Sequence, residues 1–284
     1  MKLTTFTNGS SKEIGIVLDS LIVPLKQEEY DIPDDMISLI EKWDELLDNV
    51  KNIVNKKNRV IDLKKVKIHQ PVINPKKILA HGLNYADHIS EMKVEKPKNQ
   101  IWFSKFNNSL NGPYDPVLLP SVSSKTDYEV ELVVIIGKKG KSISVNDSLS
   151  HVFGYCVGND VSVRDWQMKT SQWTLGKSFD THGPIGPFIT TADEIPNPHC
   201  LSIQSYVNGE LRQNSNTNKL IFKIPDLISY ISQAITLEPG DLIFTGTPSG
   251  VGLGMKPPIF LKSGDVVKCQ IDKLGSIENI FKDE

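Results

Sequence analysis

The chain has 284 residues, of which 39% are hydrophobic and 23% charged, and its formal net charge is -2. This is the composition of a globular protein with a core rather than a disordered chain. The near-neutral balance gives no electrostatic basis for binding nucleic acid or an acidic membrane surface, and the longest apolar run, around Leu132 to Ile136, is far too short to span a bilayer.

In chain order, the start (Met1 to Phe6) carries no long apolar stretch, so no secretory signal is expected. Glu13 to Leu18 and Ser20 to Leu25 read as short strands. Asp34 is placed to cap a helix carrying Met36, Leu39, Ile40, Trp43, Leu46 and Leu47 at spacings of three and four, a stripe expected to pack into the core. The basic run from Lys51 to Lys67 reads as a solvated face. Pro71 and Pro75 then interrupt regular structure. Residues 1–70 are therefore expected to form a small N-terminal α/β domain, and 71–284 the main domain.

From residue 76 onward strands dominate: 77–80, 130–136, 152–158, 185–190, 201–207, 242–244 and 266–271. Turn signals separate them, including Asn208-Gly209, Pro239-Gly240-Asp241 and Ser263-Gly264-Asp265. Strand and helix do not alternate regularly, so an α+β, mostly β fold is expected rather than a doubly wound parallel sheet. Cys156, Cys200 and Cys269 form no CxxC pair and point to a reducing compartment, with cytoplasm expected.

The segment from Thr126 to Gly137 carries most of the chemistry. Alternate residues of a strand point to opposite faces. Tyr128, Val130, Leu132, Val134 and Ile136 share one face, and Glu129, Glu131, Val133 and Ile135 the other. Both faces are apolar toward the C-terminal end, so the strand reads as buried on both sides. Two neighbouring carboxylates there need a compensating cation, and a hard divalent ion is the simplest one. A wet strand end is the alternative. Asp160 closes the apolar run from Phe153 and is the next candidate ligand, or else a helix cap. An all-carboxylate set suits Mg²⁺ or Mn²⁺ better than zinc.

His88 and Glu91 would share a helix face, where the carboxylate could hold the imidazole as a base; the alternative is an ordinary surface pair. Arg164 and Gln167 follow Asp160 within two helical turns. Lys177, between Gly176 and Phe179, is either partly buried and aimed at an anion or simply exposed. The loop from Thr245 to Gly252 lacks the Gly-Lys-Ser/Thr ending of a phosphate-binding loop; it could present N–H groups and Thr247 to a carboxylate, or be a plain turn.

Five segments appear in order: Gly82 to His88, Asp127 to Leu132, Gly158 to Gln167, Gly176 to Asp180, and Pro239 through Gly252. Together they resemble the fumarylacetoacetate hydrolase family over roughly residues 76 to 271. The resemblance implies a mixed β-sandwich roll, a homodimer, and Mg²⁺ or Mn²⁺ held by Glu129, Glu131 and Asp160. It implies a His88–Glu91 dyad, Lys177 and Gln167 acting on substrate or water, and Arg164 and Thr247 binding substrate. The segment Met92 to Asn111, with Pro97, Trp102 and Phe103, is then a candidate lid. The implied reaction is C–C bond hydrolysis of a 2,4-diketo acid through a metal-stabilised enolate. Oxaloacetate decarboxylation, or a related lyase or isomerase reaction, is the alternative. Leu83 stands where some acylpyruvase-like members carry a basic residue, which leaves specificity open. A Schiff-base lyase at Lys177 is disfavoured by the acidic cluster, and a silent binding protein by the intact ligands and dyad.

Overall fold

The computed structural model describes residues 1–92 and 95–284. A 12-stranded sheet forms its spine. Ten of its strands run in the order Ile61–Asp62, Leu21–Pro24, Ser11–Leu18, Lys2–Asn8, Gly183–Thr191, Val152–Asn159, Val130–Ile136, Leu242–Phe244, Ile78–Gly82, Ile101–Ser104; off this path Lys67–Ile68 pairs with Lys2–Asn8 and Leu110–Asn111 with Gly183–Thr191. A second, 5-stranded sheet runs Glu210–Asn216, Ser202–Val207, Val266–Ile271, Gly275–Asp283, Val117–Leu119. Pairing is mainly antiparallel. Leu242–Phe244 runs parallel to Ile78–Gly82, and Gly275–Asp283 parallel to Val117–Leu119. The hairpin expected at Asn208-Gly209 forms with Val207 opposite Glu210, and both turn residues take positive φ.

The strand Val130–Ile136 is the wall between two cores. Val130, Leu132, Val134 and Ile136 pack toward the smaller sheet, against Ile203, Val267, Ile277 and Phe281. Val133 and Ile135 pack on the opposite face with Leu3, Ile16, Leu39 and Val50. Each such side chain, fully buried, stabilises the fold by about 1.5–3 kcal/mol, so the strand is fixed in register from both sides. The alternation that exposes neither face carries the two glutamates inward.

The N-terminal segment joins this architecture directly. Lys2–Asn8 pairs with Gly183–Thr191, and the second core contains side chains from both segments. Lys2–Asn8 was not expected, because its Thr-rich sequence lacks apolar alternation. The single helix expected from Asp34 is two helices, Met36–Glu41 and Trp43–Lys56. Asp35 rather than Asp34 caps the first, accepting from the Ser38 N–H at 3.0 Å. Lys42, at φ -101 and ψ 13, breaks the run and sets Trp43 edge-on to Phe153 at 5.0 Å.

The candidate lid is corrected in part. Lys93 and Val94 lie outside the described residues, but Ile101–Ser104, with Trp102 and Phe103, is a sheet strand paired to Ile78–Gly82. That part of the segment is held in the sheet by backbone pairing to a buried strand. No helix among the described residues is long and apolar enough to cross a membrane.

Two histidines are buried in neutral form. His81 lies between Trp102 and Phe222, at 5.3 and 5.5 Å ring to ring, and burial lowers its pKa to about 4. His182 donates Nε2–H to the Leu118 carbonyl at 2.8 Å, and burial lowers its pKa to about 3. Below the ordinary value of 6.5 the unfolded chain takes up these protons and the folded chain does not. Stability therefore falls with acidification, by about 1.4 kcal/mol per pH unit for each histidine, until the folded values are reached. His81→Phe is expected to remove about half of this histidine-linked slope. Urea unfolding at several pH values between about 6 and 4.5 would read it, and an unchanged slope would contradict the buried neutral state.

Candidate metal centre and active site

The site forms where two central strands leave the sheet. Asn159 ends one strand; its side-chain Oδ1 accepts from the Glu129 N–H at 2.9 Å. The Asp160 N–H in turn donates to the Glu129 carbonyl at 2.9 Å. These contacts place Asp160 beside the glutamates although it is distant from them in sequence. One carboxylate oxygen from each of Glu129, Glu131 and Asp160 falls within 4.8 Å of the others, and all three residues are buried. A wet strand end and a solvent-facing cap are thereby excluded.

Each carboxylate has a distinct environment. Glu129 Oε1 pairs with Arg164 Nη1 at 2.7 Å and its Oε2 with Lys177 Nζ at 2.7 Å. Burial pushes its pKa up, but Lys177 and Arg164 outweigh that and hold it down at about 2. Asp160 lies between two ammonium groups, Lys105 on Oδ1 and Lys177 on Oδ2, each at 2.7 Å. Glu131 accepts only the Gly246 N–H, at 2.7 Å, and among the described residues no Lys or Arg forms an ion pair with it. Burial, with Asp160 and Glu129 alongside, raises its pKa well above the ordinary range. A buried carboxylate short of a cation, beside two others with hard oxygen donors, fits a divalent ion. The residues that would hold it are Glu129, Glu131 and Asp160.

Two glycines make this geometry possible. Gly246, at φ +103, turns its N–H onto Glu131 in a conformation that L side chains rarely adopt. A Cβ on Gly176 would lie 2.2 Å from the Gln167 nitrogen. Only glycine lets the short helices Arg164–Gln167 and Thr174–Lys177 touch there, bringing Lys177 and Gln167 to one site.

The helix Ala86–Met92 supplies the dyad. His88 Nδ1 lies 3.0 Å from Glu91 Oε2. A carboxylate accepts but cannot donate, so Nδ1 carries a proton, and in the neutral ring that leaves Nε2 with its lone pair. Glu91 Oε1 also accepts the Gly250 N–H at 2.8 Å, which fastens the dyad to the glycine-rich loop. A cavity of about 190 Å³ is lined by His88, Glu129, Glu131, Gln167, Lys177 and Thr247, together with apolar side chains that include Leu83, Phe103 and Trp173.

The two expected substrate binders also make contacts within the protein. Arg164 also reaches Asp127, with Nε 2.8 Å from Oδ2, and donates Nη1–H to Gln167 Oε1 at 2.9 Å. Thr247 donates its hydroxyl to the Val130 carbonyl at 2.9 Å and accepts from Gln213 Nε2 at 2.7 Å. Both line the cavity and also brace the site's own frame, while Arg164 Nη2, 2.8 Å from Asp127 Oδ2, makes no aligned hydrogen bond.

Lys105 and Asp127 were not anticipated. Lys105 is fully buried on Asp160 and on the Lys177 carbonyl, and burial lowers its pKa against the pull of Asp160. Asp127 accepts from the Gly252 and Leu253 N–H groups at 2.7 and 3.0 Å and ties that loop to Arg164. The only sequence signal for Lys105 is a lysine amid Trp102, Phe103 and Phe106; its partner is 55 residues away.

The sequence model of the fumarylacetoacetate (FAA) hydrolase C-terminal domain matches residues 77–282. A fumarylacetoacetate hydrolase domain-containing protein 2 homolog from Dictyostelium discoideum is 47% identical over 99% of this chain and 97% of its own. An oxaloacetate tautomerase, described as mitochondrial, from Xenopus laevis is 45% identical over 98% of this chain and 89% of its own. Among solved structures, maleylpyruvate hydrolase from Sphingobium sp. SYK-6, in complex with manganese (II) ion and pyruvate, superposes with a TM-score of 0.84. It is 33% identical and covers 100% of this chain and 99% of that one. With its strand order, its buried acidic triad and relatives matched along nearly its whole length, the chain belongs to the fumarylacetoacetate hydrolase family.

Proposed function

We propose that this chain is a divalent-metal-dependent enzyme acting on a small 2-oxo acid, and that its reaction is the enol–keto tautomerisation of oxaloacetate or a close relative. The observation that carries this reading is one cavity of about 190 Å³ lined by both Glu129 and Glu131 of the acidic triad and by the His88 base. When bound, Mg²⁺ or Mn²⁺ would draw charge from the 2-oxo and carboxylate oxygens of the substrate.

The chain's own residues do the rest. Glu91 fixes His88 with Nε2 unprotonated, so Nε2 takes the enol hydroxyl proton and delivers it to C3. One O–H bond is lost and one C–H bond is gained. Arg164 and Lys105 hold Glu129 and Asp160 in place. Gln167 positions the substrate, and Leu83, Phe103 and Trp173 limit water. Moving one proton needs no second reactant, which suits so small a space. The likeness to the Xenopus laevis tautomerase supports the same reading.

C–C hydrolysis of a 2,4-diketo acid is the second reading, favoured by the likeness to the manganese and pyruvate complex. It uses the same base to activate water. Enol-oxaloacetate, acetylpyruvate and fumarylpyruvate, each assayed with Mn²⁺ and after EDTA, separate the two. Metal-dependent loss of enol absorbance without bicarbonate or acid release is expected. Release of pyruvate plus a carboxylic acid as the main activity would replace the first reading with the second. A homodimer in a reducing compartment belongs to the same proposal. It is consistent with free Cys156, Cys200 and Cys269, and with either the expected cytoplasm or the mitochondria named for the relative.

A further inference from the structure

Lys177 is placed unlike the other cations of the site. Arg164 takes one oxygen of Glu129 and Lys105 takes one oxygen of Asp160. Lys177 takes the other oxygen of each, lying 2.7 Å from Glu129 Oε2 and 2.7 Å from Asp160 Oδ2. It thus bridges two of the carboxylates that would hold an ion, and its positive charge answers the same need. An ammonium and a divalent cation compete for those carboxylates, because both are positive and the surroundings are poorly solvated.

The two lysines also differ in their freedom. The Lys105 side chain is 0% exposed, is tied to the Lys177 carbonyl and does not line the cavity. Lys177 lines the cavity, and its Nζ lies 5.2 Å from the centroid of the Phe103 ring, another lining residue. The face of that ring already meets the ammonium while it holds the two carboxylates, and it borders the cavity into which Nζ would move.

We infer that Lys177 stands in for the metal: the ammonium and the divalent ion occupy the carboxylate cradle in alternation, and loading the ion delivers the Lys177 ammonium into the cavity. This rests on the metal-dependent reading above. Without the ion, Lys177 is held by the protein's own carboxylates. With it, Lys177 is free to meet the carboxylate of an anionic substrate. The ion then binds before substrate, and an unloaded protein offers little cation to a 2-oxo acid.

The test is Mn²⁺ affinity, read by electron paramagnetic resonance of the free ion, for the parent and Lys177→Met. Removing the competitor is expected to tighten Mn²⁺ binding by about tenfold or more. A second measurement uses only the parent protein. Acetylation of Lys177 by a small amine-reactive ester, followed by mass spectrometry, is expected to rise several-fold on adding Mn²⁺. If Lys177→Met does not fold, the labelling result decides alone. If the parent binds Mn²⁺ but the variant binds it equally or more weakly, or labelling stays level, the alternation is wrong and the metal reading stands. If the parent binds no Mn²⁺, both fall.

Discussion

Glu131→Gln is expected to abolish the response to divalent ions while leaving the ion-free protein as stable as the parent, or more so. The amide still accepts the Gly246 N–H through its oxygen, so the loop stays anchored. What disappears is a buried acidic group with no ion-pair partner among the described residues, whose pKa is raised by burial and by its carboxylate neighbours. A carboxyl with a raised folded pKa costs stability as pH climbs above its unfolded value, because only the unfolded chain readily ionises. Glutamine removes that cost. It also removes a ligand charge, so activity should fall by about a thousandfold or more, corresponding to about 4 kcal/mol of lost transition-state stabilisation.

Asp160→Asn should behave oppositely in the ion-free protein. It leaves Lys105 and Lys177 buried without their shared partner, a loss of about 3–5 kcal/mol. Thermal melts of both variants with and without Mn²⁺ check this pair of results. A Glu131→Gln protein whose melting temperature still rises with Mn²⁺ would remove Glu131 from the metal site. The sign of the pH effect follows from the same residue. Glu131 must lose its proton before a cation can use it, so ion affinity should increase with pH and binding should release a proton.

What could be read from the sequence depended on how far each feature reaches along the chain. The two faces of Val130–Ile136 were legible because alternation is local and both faces are apolar. The inward position of Glu129 and Glu131 followed from the same pattern. The His88–Glu91 contact was legible because three-residue spacing on a helix is local too. Lys105 was not, because its burial is compensated by Asp160, which arrives from a different strand. The break at Lys42 was not, because no proline or glycine marks it and Trp43 turns toward Phe153, which is distant in sequence. Arg164 and Thr247 show a further limit. A motif can place a polar group at a site without showing whether its hydrogen bonds are already committed to the protein.

His88→Ala should lower the rate by about a hundredfold to ten-thousandfold, the range for losing a positioned general base. Mn²⁺ affinity should change little, since His88 contacts Glu91 and holds none of the acidic ligands. Glu91→Gln should cost less. The glutamine oxygen can accept either the Gly250 N–H or the Nδ1 proton, which Glu91 meets with separate oxygens, and the amide no longer stabilises the imidazolium formed when Nε2 takes its proton. The two effects should not add. If Glu91 acts only through His88, the double variant His88→Ala/Glu91→Gln should be no slower than His88→Ala alone. Steady-state rates for the single and double variants, measured at saturating Mn²⁺, decide this. A double variant slower by the product of the single effects would mean that Glu91 meets the substrate directly, and the dyad would then be two independent groups that happen to touch.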